Sequence, residues 1–199
     1  MTGELMDWGA AARALAGEKE SGDRLLVKRM GSGALLAAAD GLGHGAEAAK
    51  AAELAIRTAE AHALRPLPEI VEACHRVLLR TRGAALSLAH WNAEQREVTW
   101  VGVGNVEGLI LKEGPAGRRE PERLVLRHGV VGDRLPALQA STVPVPGEGL
   151  LILATDGIAD GFDRSIDMRA APQSVADGIL ARHSRDADDA LVLVARLGR

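Results

Sequence analysis

The chain has 199 residues, of which 47% are hydrophobic and 26% charged, a balance that favours neither a disordered chain nor a membrane protein. Its net charge of −3 offers no basic footprint for nucleic acid. Its longest apolar runs are far shorter than the roughly 20 residues that cross a bilayer, so we expect neither nucleic acid nor a membrane among its partners.

The N-terminal segment and the cysteine content bear on location. The segment MTGELMDWGAAARALAGE lacks the basic region followed by an apolar region that marks a signal peptide. Cys74 is the only cysteine, so there is no disulfide framework and a reducing compartment is compatible. We expect a cytoplasmic protein with a single domain over residues 1–199, a length that can bury a real core.

The first half of the chain predicts a strand hairpin followed by two helices. Residues 24–30 and 34–39 have the apolar patterns of strands, and the glycine-rich segment 31–33 between them is typical of a turn. From Gly45 the charged residues recur three or four positions apart, which places them on one face of a helix. Two prolines end this helix, and a second amphipathic helix follows.

The second half of the chain predicts mainly strands. The patterns indicate strands at residues 84–91, 97–103, 107–112, 124–127, 150–154 and 190–197, a polar loop at 114–122 and a helix at 173–183. Along the whole chain, the order is strands, two helices, strands, a helix and a strand. This order predicts an α+β fold rather than alternating βαβ units.

Four aspartates stand at the ends of these predicted strands. Asp23 lies about as many residues before the 31–33 turn as Asp40 lies after it, so an antiparallel hairpin places both carboxylates at its open end. Asp156 ends one buried strand and Asp188 begins the last strand. Antiparallel pairing of those two strands would bring this second pair of carboxylates to one end as well.

Carboxylates gathered in this way repel one another unless a cation lies between them. An oxygen-only set with no obligatory Cys or His favours Mg²⁺ or Mn²⁺ over Zn²⁺. Gly41 frees the backbone after Asp40, so its carbonyl is a further candidate ligand. Two such cations would hold a bridging water as hydroxide and stabilise an in-line attack on phosphorus.

Two other interpretations of these motifs stay open. Asp-Gly is a common turn signal, so each motif alone is compatible with a purely structural role. Gly41, Gly43 and Ala46 also fit the G-x-G-x-x-A pattern of a dinucleotide-binding loop. Against that pattern, Asp40 would face the pyrophosphate with the wrong charge, and Glu60, about 20 positions on, lies on a helix instead of ending a strand.

Four motifs occur in the order in which the metal-dependent PP2C-type protein phosphatases have them. They are Ser21-Gly22-Asp23, Asp40-Gly41-Leu42-Gly43-His44-Gly45, Thr155-Asp156-Gly157 and Asp188-Asp189-Ala190-Leu191-Val192. The set resembles the bacterial branch that includes SpoIIE, RsbU and RsbX, and the compact length is most similar to stressosome phosphatases of the RsbX type. The motifs span residues 21–192, so the resemblance covers nearly the whole chain.

The resemblance implies an αββα sandwich of two antiparallel sheets flanked by helices, with a dinuclear Mn²⁺ or Mg²⁺ site at one edge. It implies that the metal ligands are the carboxylates of Asp23, Asp40, Asp156 and Asp188 and the carbonyl of Gly41, with Asp189 behind them. It also implies hydrolysis of phosphoserine or phosphothreonine on a partner protein. For a member of the RsbX type, that partner would be a phosphorylated STAS-domain scaffold protein of the stressosome.

The chain departs from the wider family at two places. Leu42 follows the first Asp-Gly where many members have a histidine, so His44 becomes the candidate general acid, with a structural role at the helix start as its alternative. Glu18 and Lys19 occupy the region of the arginine that binds phosphate in the eukaryotic enzymes. Phosphate binding would then depend mainly on the metals, with Lys19 or Arg24 as candidates.

The resemblance makes Asp40, Asp156 and His44 the candidate catalytic residues. The alternative function is a catalytically inactive PP2C-fold module for docking or regulation. Such a module should have lost at least one ligand aspartate, and here none of the four is missing.

Overall fold

The computed structural model describes residues 6–113 and 119–198. Within these ranges the chain forms ten strands and three α-helices, with a short 3-10 helix at Phe162–Ser165. In chain order they are β1 (Trp8–Arg13), β2 (Asp23–Met30), β3 (Gly33–Gly41), α1 (Ala46–Ala61), α2 (Leu67–Leu78), β4 (Ala84–Asn92), β5 (Glu97–Val103), β6 (Glu107–Glu113), β7 (Arg119–Arg123), β8 (Ser141–Pro144), β9 (Gly149–Ala154), α3 (Pro172–His183) and β10 (Ala190–Leu197).

The strands form two five-stranded sheets. One sheet has the order β1-β10-β9-β6-β7 and the other the order β2-β3-β4-β5-β8. Every pairing between these strands is antiparallel. Helices α1 and α2 pack on the second sheet, and α3 packs on the first. The predicted α+β class and the αββα sandwich are therefore confirmed.

Strand β3 shows how the sequence specifies these layers. Leu36 and Ala38 lie in the core between the sheets, whereas Leu35 and Ala37 lie in the core beneath α1 and α2. Because both faces of the strand are buried, its sequence is a nearly continuous apolar run instead of an alternating one. The buried face of α1 consists mostly of alanines, whose small side chains allow the helix to lie close to the sheet.

The secondary structure predicted from the sequence was wrong mainly at edge strands of the two sheets. Strand β7 begins within the predicted 114–122 loop and ends at Arg123, and residues 114–118 of that loop are outside the described residues. The strand predicted at 124–127 forms only an isolated bridge, between Val103 and Arg127. The sequence of β7, REPER, is polar and contains a proline, as suits a strand with only one paired neighbour. Strands β1 and β8, which are also edges, were not predicted.

The sheet topology decides against a dinucleotide-binding loop. Strand β3, which precedes the glycine-rich segment 41–45, lies between β2 and β4 and is antiparallel to both. A dinucleotide-binding unit requires a parallel strand–helix–strand arrangement at this point.

None of the helices in the described residues is long and apolar enough to cross a membrane.

Candidate metal centre and substrate cleft

Asp23 and Asp40 are directly opposite each other in the β2–β3 hairpin. The turn at residues 31–32 sets this register, which confirms the hairpin predicted from the sequence. Asp23 is only 4% exposed. Its Oδ2 accepts a hydrogen bond of 2.8 Å from the hydroxyl of Thr155, whereas its Oδ1 is buried with no hydrogen-bond partner. A buried carboxylate oxygen without a donor is a feature that a bound cation would explain.

Asp156 and Asp188 lie at the matching end of the other sheet. Strands β9 and β10 pair antiparallel, as predicted, and Asp156 comes two residues after β9 ends. The pairing continues past the strand end, because the N–H of Thr155 donates to the Leu191 carbonyl at 3.0 Å. The Leu191 N–H in turn donates to the Thr155 hydroxyl at 2.8 Å. Thr155 therefore connects the end of this sheet to Asp23 of the other sheet.

The adjacent Asp188 and Asp189 have different surroundings. Asp189 is 3% exposed, and its two oxygens accept backbone N–H bonds of 2.8 Å each, from Leu15 and from Gly22. It thus fastens the segment before β2 to the start of β10. Asp188 is half-buried, and its Oδ1 accepts the N–H of Asp189 at 2.9 Å. Asp189 therefore has a structural role, and the assignment of Asp188 as the metal ligand stays a prediction.

Burial and mutual repulsion dominate the electrostatics of these carboxylates. Burial, with further contributions from Asp156 and the Asp188–Asp189 pair, raises the pKa of Asp23 to about 7 against the lowering effect of Thr155. Burial and the neighbouring Asp23 raise the pKa of Asp40 to about 8. Burial and Asp188 also raise the pKa of Asp156. The carboxylates are therefore close enough to repel one another, and a positive charge among them would relieve that repulsion.

The residues fit a hard divalent cation by their chemistry. The candidate donors are all oxygens, they carry excess negative charge, and one of them is the unpartnered buried Oδ1 of Asp23. In the described ranges, no three His, Cys, Asp or Glu side chains are already arranged as metal ligands.

Gly41 is required by a close approach of the backbone. A Cβ at this position would lie 2.0 Å from the Ala48 carbonyl oxygen, so any side chain here would displace the first turns of α1. The Gly41 N–H donates to the Gly22 carbonyl at 3.0 Å, which joins the two candidate ligand loops. The structure thus gives a packing reason for the glycine, and its role as a carbonyl ligand stays a prediction.

His44 lies on the exposed loop before α1. Its Nδ1 is 2.6 Å from the Oε1 of Glu18. The N-cap of α1 is Gly45 and it makes no side-chain capping bond, so His44 does not cap the helix. None of its contacts in the described part of the chain involves the four aspartates. The pairing with Glu18 orients the imidazole, and its role as a general acid stays a prediction.

The side chain of Arg24, a candidate for binding phosphate, makes structural contacts instead. Its Nη1 donates to the carbonyls of Ser21 and Asp23, at 2.6 Å and 2.9 Å. Its Nε is 3.5 Å from a carboxylate oxygen of Glu53 on α1. Arg24 therefore stabilises the loop that carries Asp23, and these contacts do not direct it toward a substrate.

A cleft of about 730 Å³ opens beside Asp156. Leu42, Asn105 and Arg185 are among the residues that line it. The Nδ2 of Asn105 donates to Asp156 Oδ2 at 2.6 Å, and the Nη1 of Arg185 donates to the Asp156 carbonyl at 3.1 Å. Neither Asn105 nor Arg185 was among the site residues predicted from the sequence. The glycines around residues 102–104 were the available signal for Asn105, and no local pattern marks Arg185.

Comparison with known proteins identifies similar sequences. Residues 31–198 match the family model described as Stage II sporulation protein E (SpoIIE). Over 101 residues the chain is 32% identical to the phosphoserine phosphatase RsbX of Bacillus subtilis (strain 168). This alignment covers 51% of the chain and 50% of that relative, so the match spans half the length of the curated protein.

Similar solved structures cover almost the whole chain. One is described as "The bacterial stressosome: a modular system that has been adapted to control secondary messenger signaling". A chain of that structure matches with a TM-score of 0.86 and 32% identity, and the match covers 96% of this chain and 100% of that chain. Another is RsbX in complex with magnesium, with a TM-score of 0.86 and 23% identity, covering 98% of this chain and 96% of that chain. The fold of the two sheets and three helices is therefore shared with these proteins.

Proposed function

Because the chain belongs to the SpoIIE family of PP2C-type proteins, we propose that it is a metal-dependent protein phosphatase that hydrolyses phosphoserine or phosphothreonine on a partner protein. The observation that carries this proposal is the placement of Asp23 opposite Asp40 at one sheet end, joined through Thr155 to the sheet end that carries Asp156 and Asp188. The likeness to RsbX, a phosphoserine phosphatase, supports the same activity.

The expected ligands of Mn²⁺ or Mg²⁺ are the carboxylates of Asp23, Asp40, Asp156 and Asp188 and the carbonyl of Gly41. We propose two cations, and the solved RsbX structure that contains magnesium supports a divalent ion at such a centre. When bound, the cations would activate water as the nucleophile and stabilise the charge that develops on the phosphoryl oxygens.

The residues around the carboxylates hold them in position for this chemistry. Thr155 fixes one oxygen of Asp23 and leaves the other free for a cation. Asn105 does the same for Asp156, because its amide occupies Oδ2 alone. Asp189 holds the segment before Asp23 against the start of β10. These bonds reduce the reorganisation needed when a cation binds.

Hydrolysis forms a bond from the oxygen of water to phosphorus and breaks the bond between phosphorus and the serine or threonine oxygen. The leaving oxygen then needs a proton, which we assign to His44 as general acid. Its contact with Glu18 would hold the imidazole in one orientation. The products are the free hydroxyl of the partner protein and inorganic phosphate.

Arg185 is the residue that we assign to the substrate phosphate. It lines the cleft, and its guanidinium reaches the Asp156 carbonyl with one of its five N–H groups. Its own N–H donates to the Gly157 carbonyl at 2.7 Å, so its backbone is fastened to the Asp156 loop. A guanidinium held in this way can donate to phosphate oxygens, which would replace the arginine that this chain lacks near Glu18.

A phosphorylated STAS-domain protein of the stressosome is the partner that we propose, and the cytoplasm is the expected location. The 32% identity to a chain in a bacterial stressosome structure, over nearly the full length of both chains, supports this partner class. Other phosphoproteins remain the comparison set for the experiment, since the cleft itself accepts any phosphorylated side chain that can reach Asp156.

The deciding experiment measures phosphate release from a phosphorylated STAS-domain protein and from unrelated phosphoproteins, with Mn²⁺ and with EDTA. We expect Mn²⁺-dependent release that is fastest with the STAS-domain protein and absent in Asp156→Asn. Release that persists in EDTA or in that variant would contradict a metal-dependent phosphatase. Absence of both release and Mn²⁺ binding would favour the alternative of an inactive docking module.

A further inference from the structure

A second cavity, of about 650 Å³, lies at the end of the β2–β3 hairpin that is remote from Asp23 and Asp40. Met30 and Gly31 of the hairpin turn are among its lining residues. Seven residue steps of about 3.3 Å along β2 separate this turn from Asp23, which places the cavity roughly 23 Å from the carboxylates. It is therefore a separate site, and its volume is typical of cavities that bind small molecules.

One side of the cavity is apolar and comes from the connection between α1 and α2. Ala63 and Leu67 are buried there, and Pro66 adds to the apolar wall. Leu64 in the same connection is 92% exposed, which makes it the most exposed of the large apolar side chains in the described residues. A ligand with an apolar body would cover Leu64 and remove it from water.

The polar side of the cavity is cationic. Lys28, Arg29 and Arg65 line it, with Glu60 as the acidic residue beside them. The Lys28 ammonium donates to the Glu60 carbonyl at 2.8 Å. In the described part of the chain, the Arg65 side chain has no hydrogen bond or ion pair, whereas Arg29 lies on the opposite face of β2, since its partner Ala34 belongs to the core between the sheets. A chain with a net charge of −3 thus concentrates cations with unused donors at one cavity.

His90 provides a further polar group at the same cavity. It is half-buried on β4, and its side chain makes no hydrogen bond in the described part of the chain. It lies directly opposite Thr99 of β5, which also lines the cavity. A half-buried imidazole with both nitrogens available can donate to, or accept from, a polar group on a ligand.

We propose that this cavity binds a small organic anion whose apolar or aromatic body lies against Leu64 and Leu67 and whose carboxylate or phosphate group meets Arg65 and Lys28. Arginine is suited to this role, since its planar fork forms paired charge-assisted hydrogen bonds with both kinds of anion. Nucleoside monophosphates and amphipathic carboxylates share this chemistry. The volume of about 650 Å³ suits a molecule of this size.

The test uses the full chain and the fluorescent aromatic anion 1-anilinonaphthalene-8-sulfonate as the probe. We expect saturable binding that Arg65→Gln and Lys28→Gln each weaken about fivefold, as loss of a charge-assisted contact would. The neutral analogue N-phenyl-1-naphthylamine should be unaffected by these changes and weakened by Leu64→Ala. Arg76→Gln, at an exposed arginine of α2 that does not line the cavity, is the matched control.

Competition identifies the natural ligand class. Displacement of the probe by adenosine monophosphate supports a nucleotide, and displacement by decanoate supports an amphipathic carboxylate. If neither compound displaces the probe at millimolar concentration, the dye binding is adventitious and the proposal is overturned. Equal affinity of the probe for Arg65→Gln and for the wild type would also overturn it. Probe binding should persist in Asp156→Asn, because the site is separate from the carboxylates. This readout does not depend on whether the protein is a phosphatase.

Discussion

Thr155 donates its hydroxyl proton to Asp23 across 2.8 Å, and this hydrogen bond joins the ends of the two sheets at the candidate metal centre. Both side chains are buried, at 2% and 4% exposure. The same hydroxyl accepts the N–H of Leu191 at 2.8 Å, so it serves as donor and acceptor at once. The placement of the carboxylates therefore depends on one hydroxyl group that is not itself a candidate ligand.

Thr155→Val should destabilise the protein because it preserves shape and removes the hydroxyl. Asp23 and the Leu191 N–H would then be left buried without partners, a loss of about 1–3 kcal/mol for each unsatisfied group. Urea unfolding in EDTA measures this loss of folding free energy. The control is Thr142→Val, which removes the exposed hydroxyl pair between Thr99 and Thr142 and should cost much less. Equal losses in the two variants would contradict the structural role of Thr155.

The metal-free protein should lose stability as the pH rises from about 5 to 8. Burial raises the pKa of Asp23 to about 7 and that of Asp40 to about 8, from the ordinary aspartate value of 3.8. The folded state therefore binds more protons than the unfolded state in this range, and its stability decreases until both groups ionise. Melting temperatures in EDTA should fall across this range, and Asp40→Asn should flatten the dependence. A melting temperature that rises with pH would contradict the predicted loss of stability.

Asp188→Asn and Asp189→Asn should separate metal binding from folding. Asp188→Asn should weaken Mn²⁺ binding in calorimetry and abolish phosphate release, with little loss of stability in EDTA. Asp189→Asn should destabilise the apo-protein by roughly 1–3 kcal/mol, because an amide nitrogen cannot accept one of the two N–H bonds from Leu15 and Gly22. The reverse pattern would exchange the roles of the two aspartates.

Arg185→Gln should raise KM for a phosphorylated peptide about tenfold and change kcat less, since it removes a charge-assisted contact to the substrate phosphate. Steady-state phosphate release with Mn²⁺ measures both constants. Arg182→Gln, at an exposed arginine in the last turn of α3, is the control and should leave both unchanged. An unchanged KM in Arg185→Gln would exclude Arg185 from phosphate binding.

His44→Ala should slow hydrolysis of a phosphoserine peptide by about 10²-fold or more and that of p-nitrophenyl phosphate much less, because only the serine leaving group needs a proton. Glu18→Gln should have a smaller effect in the same direction, since it removes the charge beside the Nδ1 of His44. If both substrates lose the same factor, His44 acts in the structure or in binding and is not the general acid.

Local patterns in the chain were sufficient for most of the fold. Apolar runs and turn glycines predicted the buried strands, and charge spacing predicted α1, because burial and periodicity act over a few residues. The edge strands β1, β7 and β8 were missed for the same reason. One partner strand is enough to form them, and their sequences need no continuous apolar run.

The sequence by itself determined the Asp23–Asp40 pair, since a two-stranded hairpin with a short turn allows one register and the turn lies midway between the two residues. Only the tertiary structure decided how the strand ends that carry Asp156 and Asp188 meet this pair, and which side chains surround them. Thr155 and Asp23 are 132 positions apart, and Asn105 and Asp156 are 51 apart, so no local pattern relates them. These contacts exist because the two sheets pack face to face with their aspartate-bearing ends together, and that packing results from side chains spread over both sheets.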